Sequence, residues 1–304
     1  MDSDRRLIMA GALAASAAAV LPVAGFAQSA QSDTRPVPST GERIPVVGLG
    51  TWVTFNVGTD PDLVDRSVDV TRAFVAEGGG MIDSSPMYGS AQDVIGTALT
   101  RLDRPANIFS ADKVWTDADD GPGQMAQTAR RWGVQRFDLM QVHNLVDWER
   151  NLDTLFAMKA DGRVRYVGIT TSHGRRHGDM ARIMERYPLD FVQLTYNVLD
   201  RAVQDRLLPL AQDRGIGVIV NRPFQRKALI RRTAGAPLPG YAADLQAPSW
   251  ASLMLKFILA HPAVTTVIPA TTQVAHVRQN KQSARTALPD AELRERIARD
   301  VRDL

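Results

Sequence analysis

From Ile44 onward, short apolar runs alternate with longer segments whose apolar residues recur every three or four positions. Eight apolar runs occur, at residues 46–49, 81–83, 108–110, 137–142, 166–169, 191–194, 218–220 and 266–268. Among the intervening segments, residues 63–76 and 153–160 place apolar side chains on one helical face. Apolar strands separated by helices are typical of a parallel sheet that is buried on both faces. Eight strands can close into a barrel, and the 304 residues of the chain exceed the roughly 250 that such a domain needs.

An open, doubly wound sheet of the dinucleotide-binding type is the alternative to a barrel. Its Gly-x-Gly-x-x-Gly fingerprint is absent, because Gly48-Leu49-Gly50 lacks the third glycine and no helix follows it directly. We therefore predict an α/β protein, a single (β/α)8 TIM barrel over residues 44–304. Residues 274–287 and 290–304 are predicted to form two extra C-terminal helices.

The first 27 residues differ in composition from the rest of the chain. Arg5 and Arg6 precede an alanine-rich apolar run, and small residues surround Ala27. This pattern is typical of a secretory signal peptide of the twin-arginine type. We predict cleavage after Ala27, a flexible linker over residues 28–43, recognition by the twin-arginine export machinery, and a periplasmic or otherwise exported location. An uncleaved transmembrane helix is the alternative, but the run is barely long enough to span a bilayer, so no permanent membrane association is expected.

Composition excludes several classes of function. The chain has no cysteine, which excludes disulfides, thiol catalysis and thiolate metal sites. The net charge is +3, and no block of Lys and Arg is interleaved with aromatic residues, so nucleic acid is not an expected partner. His173 and His177 have the spacing of helical metal ligands, but Gly174 and Gly178 interrupt that helix, and no metal site is predicted.

Four polar residues fall at or just beyond the ends of consecutive strands, where the catalytic groups of a barrel lie. Asp83 ends the second apolar run and Tyr88 follows five residues later, while Lys113 and His143 follow the third and fourth runs. Taken singly, each has an ordinary structural interpretation: a turn residue, a packing residue, a solvated strand end and a buried core histidine. Their occurrence at matching places indicates one cleft.

These side chains suit the reduction of a carbonyl group by hydride transfer. The developing alkoxide needs a proton donor, and Tyr88 can be one if its pKa falls from about 10 toward neutrality. A nearby Lys113 ammonium favours the phenolate, and a buried Asp83 would hold that ammonium in place. A neutral His143 can donate a hydrogen bond that orients the carbonyl.

The chain resembles the aldo-keto reductase family over nearly all of residues 44–287. The matching stretches are residues 48–52, 82–90, 137–143, 162–169 and 193–197, with Ile268-Pro269 followed by Asn280. The resemblance implies a barrel, NADPH-dependent reduction of aldehydes and ketones, and the four residues above in those roles. By family position the cofactor contacts fall at Gly50, Thr51, Trp52, Thr170, Thr171, Gln193, Asn221, Thr271, His276 and Asn280.

Three departures from the family pattern concern the cofactor. The asparagine expected after Thr170 is Thr171, and the aromatic residue that stacks on the nicotinamide is replaced by Asn221. The basic residues that hold the 2′-phosphate align with Ala270, Gln273 and His276. Arg278 is a candidate to compensate, since Arg pairs well with phosphate. The resemblance favours NADP(H) over NAD(H), and the third departure weakens that preference.

Aromatic residues near the strand ends predict the walls of a pocket for a small, mostly apolar carbonyl substrate. They are Trp52, Phe55, Trp115, Trp148 and Phe224. Residues 225–247 form either a loop that covers the pyrophosphate or a solvated run of charges. Two other functions remain open. One is a nucleotide-binding barrel with a sensing or interaction role and little turnover, which Asn221 and Thr171 favour, and the other is a sugar or alcohol dehydrogenase.

Overall fold

Parallel strands form the centre of the molecule. The computed structural model describes residues 33–304. In that part of the chain the strands are β1 Thr34–Pro36, β2 Arg43–Pro45, β3 Leu49–Gly50, β4 Gly80–Asp83, β5 Ile108–Val114, β6 Phe137–His143, β7 Val164–Thr170, β8 Phe191–Thr195, β9 Gly217–Asn221 and β10 Val264–Val267. Strands β3 to β10 pair in parallel, in chain order.

The barrel closes between its first and last strands. Val47 pairs with Val267 and Gly50 pairs with Ala270, both in parallel, and the Gly48 N–H donates to the Val267 carbonyl at 2.8 Å. A Cβ atom at Gly50 would lie 2.7 Å from the Ile268 carbonyl oxygen, so the closure needs glycine there. The predicted (β/α)8 barrel is confirmed.

Helices follow every strand of the barrel. They are α1 Pro61–Ala76, α2 Ala91–Arg101, α3 Gly121–Trp132, α4 Trp148–Ala160, α5 His177–Arg186, α6 Leu207–Asp213, α7 Ala228–Arg232, α8 Tyr241–Asp244, α9 Trp250–Leu259, α10 Val274–Arg285 and α11 Ala291–Asp303. Helix α1 begins where the Asp60 carboxylate accepts the Leu63 N–H at 3.0 Å, with Pro61 in the first turn. The two predicted C-terminal helices correspond to α10 and α11.

Two apolar layers hold the barrel together. The interior layer is built from inward-facing strand residues, among them Met81, Leu139 and Ile219, with the stacked and edge-on rings of Phe109, Tyr166 and Phe191. The outer layer lies between the strands and the helices. Because successive strand residues face opposite sides, each strand supplies both layers.

The flexible linker predicted over residues 28–43 is wrong from Thr34 onward. Strands β1 and β2 pair antiparallel, with Thr34 opposite Pro45, and Val37 and Ile44 are buried in the interior layer. Arg35 donates to the His261 carbonyl at 2.9 Å. The hairpin is ordered because its apolar residues cover the amino-terminal end of the barrel, which would otherwise be open to water.

The predicted signal peptide and the start of the linker, residues 1–32, lie outside the described residues. Within residues 33–304, every helix is too short or too polar to cross a membrane. The loop over residues 225–247 contains the short helices α7 and α8.

Candidate active site

Neighbouring strands bring three of the four predicted catalytic residues to the carboxyl end of the barrel. Asp83 ends β4, Lys113 is the penultimate residue of β5, and His143 ends β6. All three side chains are buried. Alternation along β5 turns Lys113 toward Asp83 while Asp112 faces the helices and accepts the Trp132 indole N–H at 2.7 Å. Parallel pairing of the three strands thus places their polar ends in one cleft.

Lys113 joins the other members of the site. Its Nζ lies 2.7 Å from Asp83 Oδ2, donates to the Ser84 carbonyl at 2.6 Å, and stands 5.2 Å from the centre of the Tyr88 ring. Burial works against its charge, but the adjacent Asp83 carboxylate and Tyr88 phenol raise the pKa of Lys113 above its usual value. The ammonium is therefore held charged beside the phenol.

Burial raises the pKa of the Tyr88 phenol, although the charge of Lys113 opposes that shift. The expected fall toward neutrality is therefore not found in the free protein. The reason is that desolvation of the phenolate outweighs the attraction of one ammonium whose charge Asp83 largely compensates. Tyr88 is protonated at neutral pH, which is the form that a proton donor requires.

His143 lies edge-on to Tyr88, with ring centres 5.9 Å apart. Burial, reinforced by the charge of Lys113, lowers the pKa of His143 to about 2, so the imidazole is neutral. Its Nδ1 lies 2.8 Å from the Ser85 hydroxyl oxygen, between two buried side chains. A hydroxyl that donates to Nδ1 leaves the ring proton on Nε2, where it can donate to a carbonyl oxygen. Sequence reasoning missed Ser85, whose only signal was its place in the loop between Asp83 and Tyr88.

Gln193 connects the predicted nicotinamide site to Asp83. Its Nε2 donates to Asp83 Oδ1 at 2.7 Å, and its Oε1 accepts from Thr170 Oγ1 at 3.2 Å and from Asn221 Nδ2 at 3.3 Å. The carboxamide is thus fixed at both ends. A cofactor bound against Gln193 would lie next to the carboxylate that pairs with Lys113.

Asn221 occupies the place of the expected aromatic residue and forms a polar network instead. Its Oδ1 accepts from Thr195 Oγ1 at 2.8 Å, and its Nδ2 donates to the Thr171 carbonyl at 3.0 Å. The Thr171 hydroxyl is buried, and no partner for it exists among residues 33–304. Buried hydroxyls are normally hydrogen-bonded, so this orphaned oxygen fits a ligand that carries a carboxamide, as nicotinamide does.

The remaining predicted cofactor residues lie at both flanks of the cleft. Thr51 is buried and donates its hydroxyl to the Asp83 carbonyl at 2.8 Å. Across β10, Thr271 Oγ1 lies 3.3 Å from Nδ1 of His276, which is exposed near the start of α10. Asn280 is buried about one turn further along that helix. Arg278 approaches Glu77, at 4.0 Å, so the proposed compensating arginine faces the end of α1.

The five predicted pocket aromatics separate into two groups. Trp115 is 42% exposed with its ring 6.4 Å from that of His143, and Trp52 lies under the Arg226 guanidinium at 4.3 Å. Phe224 is partly buried against the core. The other two are corrections to the predicted pocket. Phe55 is 1% exposed and belongs to the core, and Trp148 meets Tyr187 edge to face in the helix layer.

The described residues contain no group of three or more His, Cys, Asp or Glu arranged to hold a metal ion. His177, one of the two histidines with ligand spacing, begins α5. The polar side chains of the cleft include the four catalytic candidates, Ser85 and the Gln193 network.

The chain belongs to the aldo-keto reductase family: the model of the Aldo/keto reductase family matches residues 46–297. It is 25% identical over 248 residues to the NADH-specific methylglyoxal reductase of Escherichia coli (strain K12), across 68% of this chain and 72% of that protein. It is 25% identical over 203 residues to the aldo-keto reductase YhdN of Bacillus subtilis (strain 168), covering 60% of each protein.

Solved structures share the same fold. An aldo/keto reductase from Klebsiella pneumoniae, determined in complex with NADP and acetate, superposes with a TM-score of 0.73 at 20% sequence identity. The superposition covers 86% of this chain and 93% of that one.

Proposed function

We propose that the protein reduces small aldehydes or ketones with a nicotinamide cofactor. The observation that supports this most is the contact of the Lys113 ammonium with both the Asp83 carboxylate and the Tyr88 ring, beside a neutral His143. Family membership and the orphaned Thr171 hydroxyl near Gln193 support the cofactor.

The chain's own groups supply the acid and the orientation. A bound dihydronicotinamide would supply the hydride. His143 Nε2 donates to the carbonyl oxygen and fixes its position, and Tyr88 gives its proton to the same oxygen as negative charge develops there. Lys113 then stabilises the phenolate that remains, and Asp83 keeps the ammonium in place.

The direct test compares the wild type with Tyr88→Phe on a panel of aldehydes. The variant retains the ring but has no proton to give, so we expect turnover to fall about 10²- to 10⁴-fold. Quenching of Trp fluorescence by cofactor should be unchanged and checks the fold of the site. Undiminished turnover would remove Tyr88 from the mechanism.

The cofactor is proposed to be NADPH, with only weak discrimination against NADH. The family resemblance favours NADPH, whereas Ala270, Gln273 and His276 offer no permanent positive charge and Arg278 approaches Glu77. His276→Arg should tighten NADPH binding about 10- to 100-fold, since a hydrogen bond to a charged group contributes about 1.5–3 kcal/mol, and should leave NADH binding unchanged. Equal effects on both cofactors would contradict a 2′-phosphate site at residue 276.

A nucleotide-binding protein with little turnover is the second candidate, and Asn221 favours it. The Asn221 amide is hydrogen-bonded to Thr195, Thr171 and Gln193. The chain therefore lacks, at this position, the ring that family members stack on the nicotinamide. Cofactor binding without reduction of any carbonyl in the panel would support this candidate. Restored turnover in Asn221→Tyr would then identify the missing ring as the cause.

Export from the cytoplasm is also proposed. Its support is the sequence before residue 28, where Arg5 and Arg6 precede an apolar, alanine-rich run. Replacement of both arginines by lysine should abolish the processed form in a periplasmic fraction, because twin-arginine recognition depends on that pair. Unchanged processing would point to another export route, and a protein found only in the cytoplasm would contradict export.

A further inference from the structure

Arg222 stands at the carboxyl end of β9, on the same side of the barrel as Tyr88. It directly follows Asn221, and its own carbonyl accepts the Asn197 side-chain amide at 3.2 Å. Its φ of 50° lies in the left-handed region, which a non-glycine residue adopts only with strain. The fold therefore holds this arginine in an unfavourable backbone conformation at the rim of the cleft.

The Arg222 guanidinium is half-buried and unpaired. Its side chain makes no hydrogen bond and no ion pair with any residue between 33 and 304, whereas Arg201 and Arg285 are paired with carboxylates. The nearby carboxylate of Asp200 is already bonded to Asn197 Nδ2 at 3.0 Å and Gln225 Nε2 at 2.7 Å. Partly desolvating a cation without a partner is unfavourable, so its position indicates an anion that arrives from solution.

The charges around Arg222 come from several elements. Burial and then repulsion by Arg226 lower the pKa of Arg222, while Asp200 and the Tyr88 phenol act in the opposite direction. His173, in the loop after β7, in turn feels the charge of Arg222. The positive charge beside the cleft above Tyr88 thus comes from Arg222 and Arg226, both in the loop after β9.

We propose that Arg222 binds a carboxylate of the substrate beside Tyr88, so that the enzyme prefers carbonyl compounds that carry an acidic group. This proposal rests on the proposed reductase function, and it adds an acidic group to the mostly apolar substrate that the sequence predicts. The planar fork of a guanidinium matches the two oxygens of a carboxylate. The diphosphate of the cofactor offers similar oxyanion chemistry and is the other source.

Two features favour the substrate over the diphosphate. Arg222 directly follows Asn221, whose amide donates to Gln193, which in turn donates to Asp83, so Arg222 lies at the end of the cleft where the carbonyl is proposed to react. Further along the same loop, Arg226 is exposed above Trp52, and Lys227 is exposed as well, so two other cations remain for the cofactor. An aromatic wall at Trp115 and a cation at Arg222 together suit a substrate with an apolar body and an anionic end.

The test uses a matched pair of substrates, 4-carboxybenzaldehyde and methyl 4-formylbenzoate, which share the reacting carbonyl and differ in charge. Arg222→Gln should lower kcat/KM about 10- to 100-fold for the acid, because a hydrogen bond to a charged group contributes about 1.5–3 kcal/mol, and leave the ester nearly unchanged. Arg222→Lys should recover part of the loss. Arg231→Gln, an exposed arginine on α7, is the control and should affect neither substrate.

Two binding measurements distinguish the sources of the anion. Quenching of Trp fluorescence by cofactor should be the same in Arg222→Gln and wild type, whereas benzoate, added to the cofactor complex, should bind more weakly to the variant. Equal losses on acid and ester together with weaker cofactor binding would assign Arg222 to the diphosphate and overturn the proposal. Equal binding of benzoate to Arg222→Gln and wild type would also overturn the carboxylate site, whether or not either aldehyde is reduced. Failure to reduce either aldehyde would count separately against the reductase function.

Discussion

Two buried lysines at opposite ends of the barrel show how differently the fold treats the same side chain. At the carboxyl end, Lys113 faces the Asp83 carboxylate at 2.7 Å, and its pKa is raised. At the amino-terminal end, the partners of Lys281 of α10 within residues 33–304 are backbone carbonyls alone, those of Val47 at 2.8 Å and Gly79, with the Phe74 ring 4.3 Å from its Nζ. Burial, followed by repulsion from Arg285, lowers its pKa to about 7.

The difference lies in the partner and not in the degree of burial. Both side chains are withdrawn from water, but in the described part of the chain Lys113 contacts a carboxylate that offsets the lost hydration and Lys281 does not. Lys281 ties the starts of β3 and β4 to a helix through neutral oxygens. We infer that Lys113 serves the active site because a carboxylate keeps it charged, whereas Lys281 has a structural role because its ammonium is hydrogen-bonded to backbone carbonyls.

The sharpest contrast comes from removing each ammonium in turn. Lys113→Met should lower kcat/KM about 10²- to 10⁴-fold, because Tyr88 loses the cation that stabilises its phenolate. It should also lower the free energy of unfolding by about 3–5 kcal/mol, since Asp83 is left buried and unpaired. Lys281→Met, the matched control, should retain turnover per folded molecule. Comparable loss of turnover in both variants would contradict the distinction between a catalytic and a structural lysine.

The stability effect of Lys281 should depend on pH. A folded-state pKa of about 7, below the usual 10.5, means that the folded chain binds fewer protons between those values. The free energy of unfolding of the wild type should therefore rise from pH 7 to pH 9, by at most about 1.4 kcal/mol per unit. Lys281→Met should lack that rise in urea titrations, while the exposed Lys227→Met should keep it. If Lys281→Met shows the same pH dependence as wild type, the rise in stability must come from another group.

At the catalytic end, the reductase should show a flat pH profile. His143, with a pKa near 2, stays neutral, and burial keeps Tyr88 protonated through neutrality. We expect kcat/KM for reduction to be constant from about pH 5 to pH 9 and to fall only in strong alkali, as the phenol ionises. A change in the kcat/KM of wild type near pH 6.5 that is absent from His143→Asn would show instead that the imidazole titrates at its usual pH.

Ser85 should have the smallest effect. Ser85→Ala removes the hydroxyl that lies 2.8 Å from His143 Nδ1, and the loss of one such hydrogen bond contributes about 0.5–1.5 kcal/mol. We expect kcat to fall about 3- to 10-fold, with the proton redistributed between the ring nitrogens, which nitrogen-15 NMR of His143 would detect. Ser85→Thr keeps the hydroxyl and should behave as wild type.

The strands and the four catalytic candidates could be derived from the sequence because both follow from local patterns. Apolar runs predict strands, and a barrel aligns strand ends whatever lies between them, so Asp83, Lys113 and His143 could be grouped from sequence position alone. The hairpin at Thr34–Pro45 could not, because its two three-residue strands are stabilised by burial of Val37 and Ile44 against distant strands.

Other features depend on orientation or on a balance of opposing effects. Trp148 begins a helix near the cleft, yet the ring points to Tyr187, a choice that residue spacing does not determine. The pKa of Tyr88 depends on burial against the charges of Lys113 and Asp83, and its direction follows only from their distances. The lack of a carboxylate partner for Arg222 among residues 33–304 likewise depends on where residues distant in sequence lie in the fold.

The hairpin that covers the amino-terminal end of the barrel also determines how the enzyme can be attached to other objects. The described chain begins beside that end, where Ser39 binds Asp190 at 2.8 Å, and the mouth with Tyr88 and Trp115 opens on the opposite side. An affinity tag, a fusion partner or a solid support joined ahead of Asp33 therefore starts from the far side of the domain. Substrate would still reach the cleft of an immobilised enzyme without hindrance.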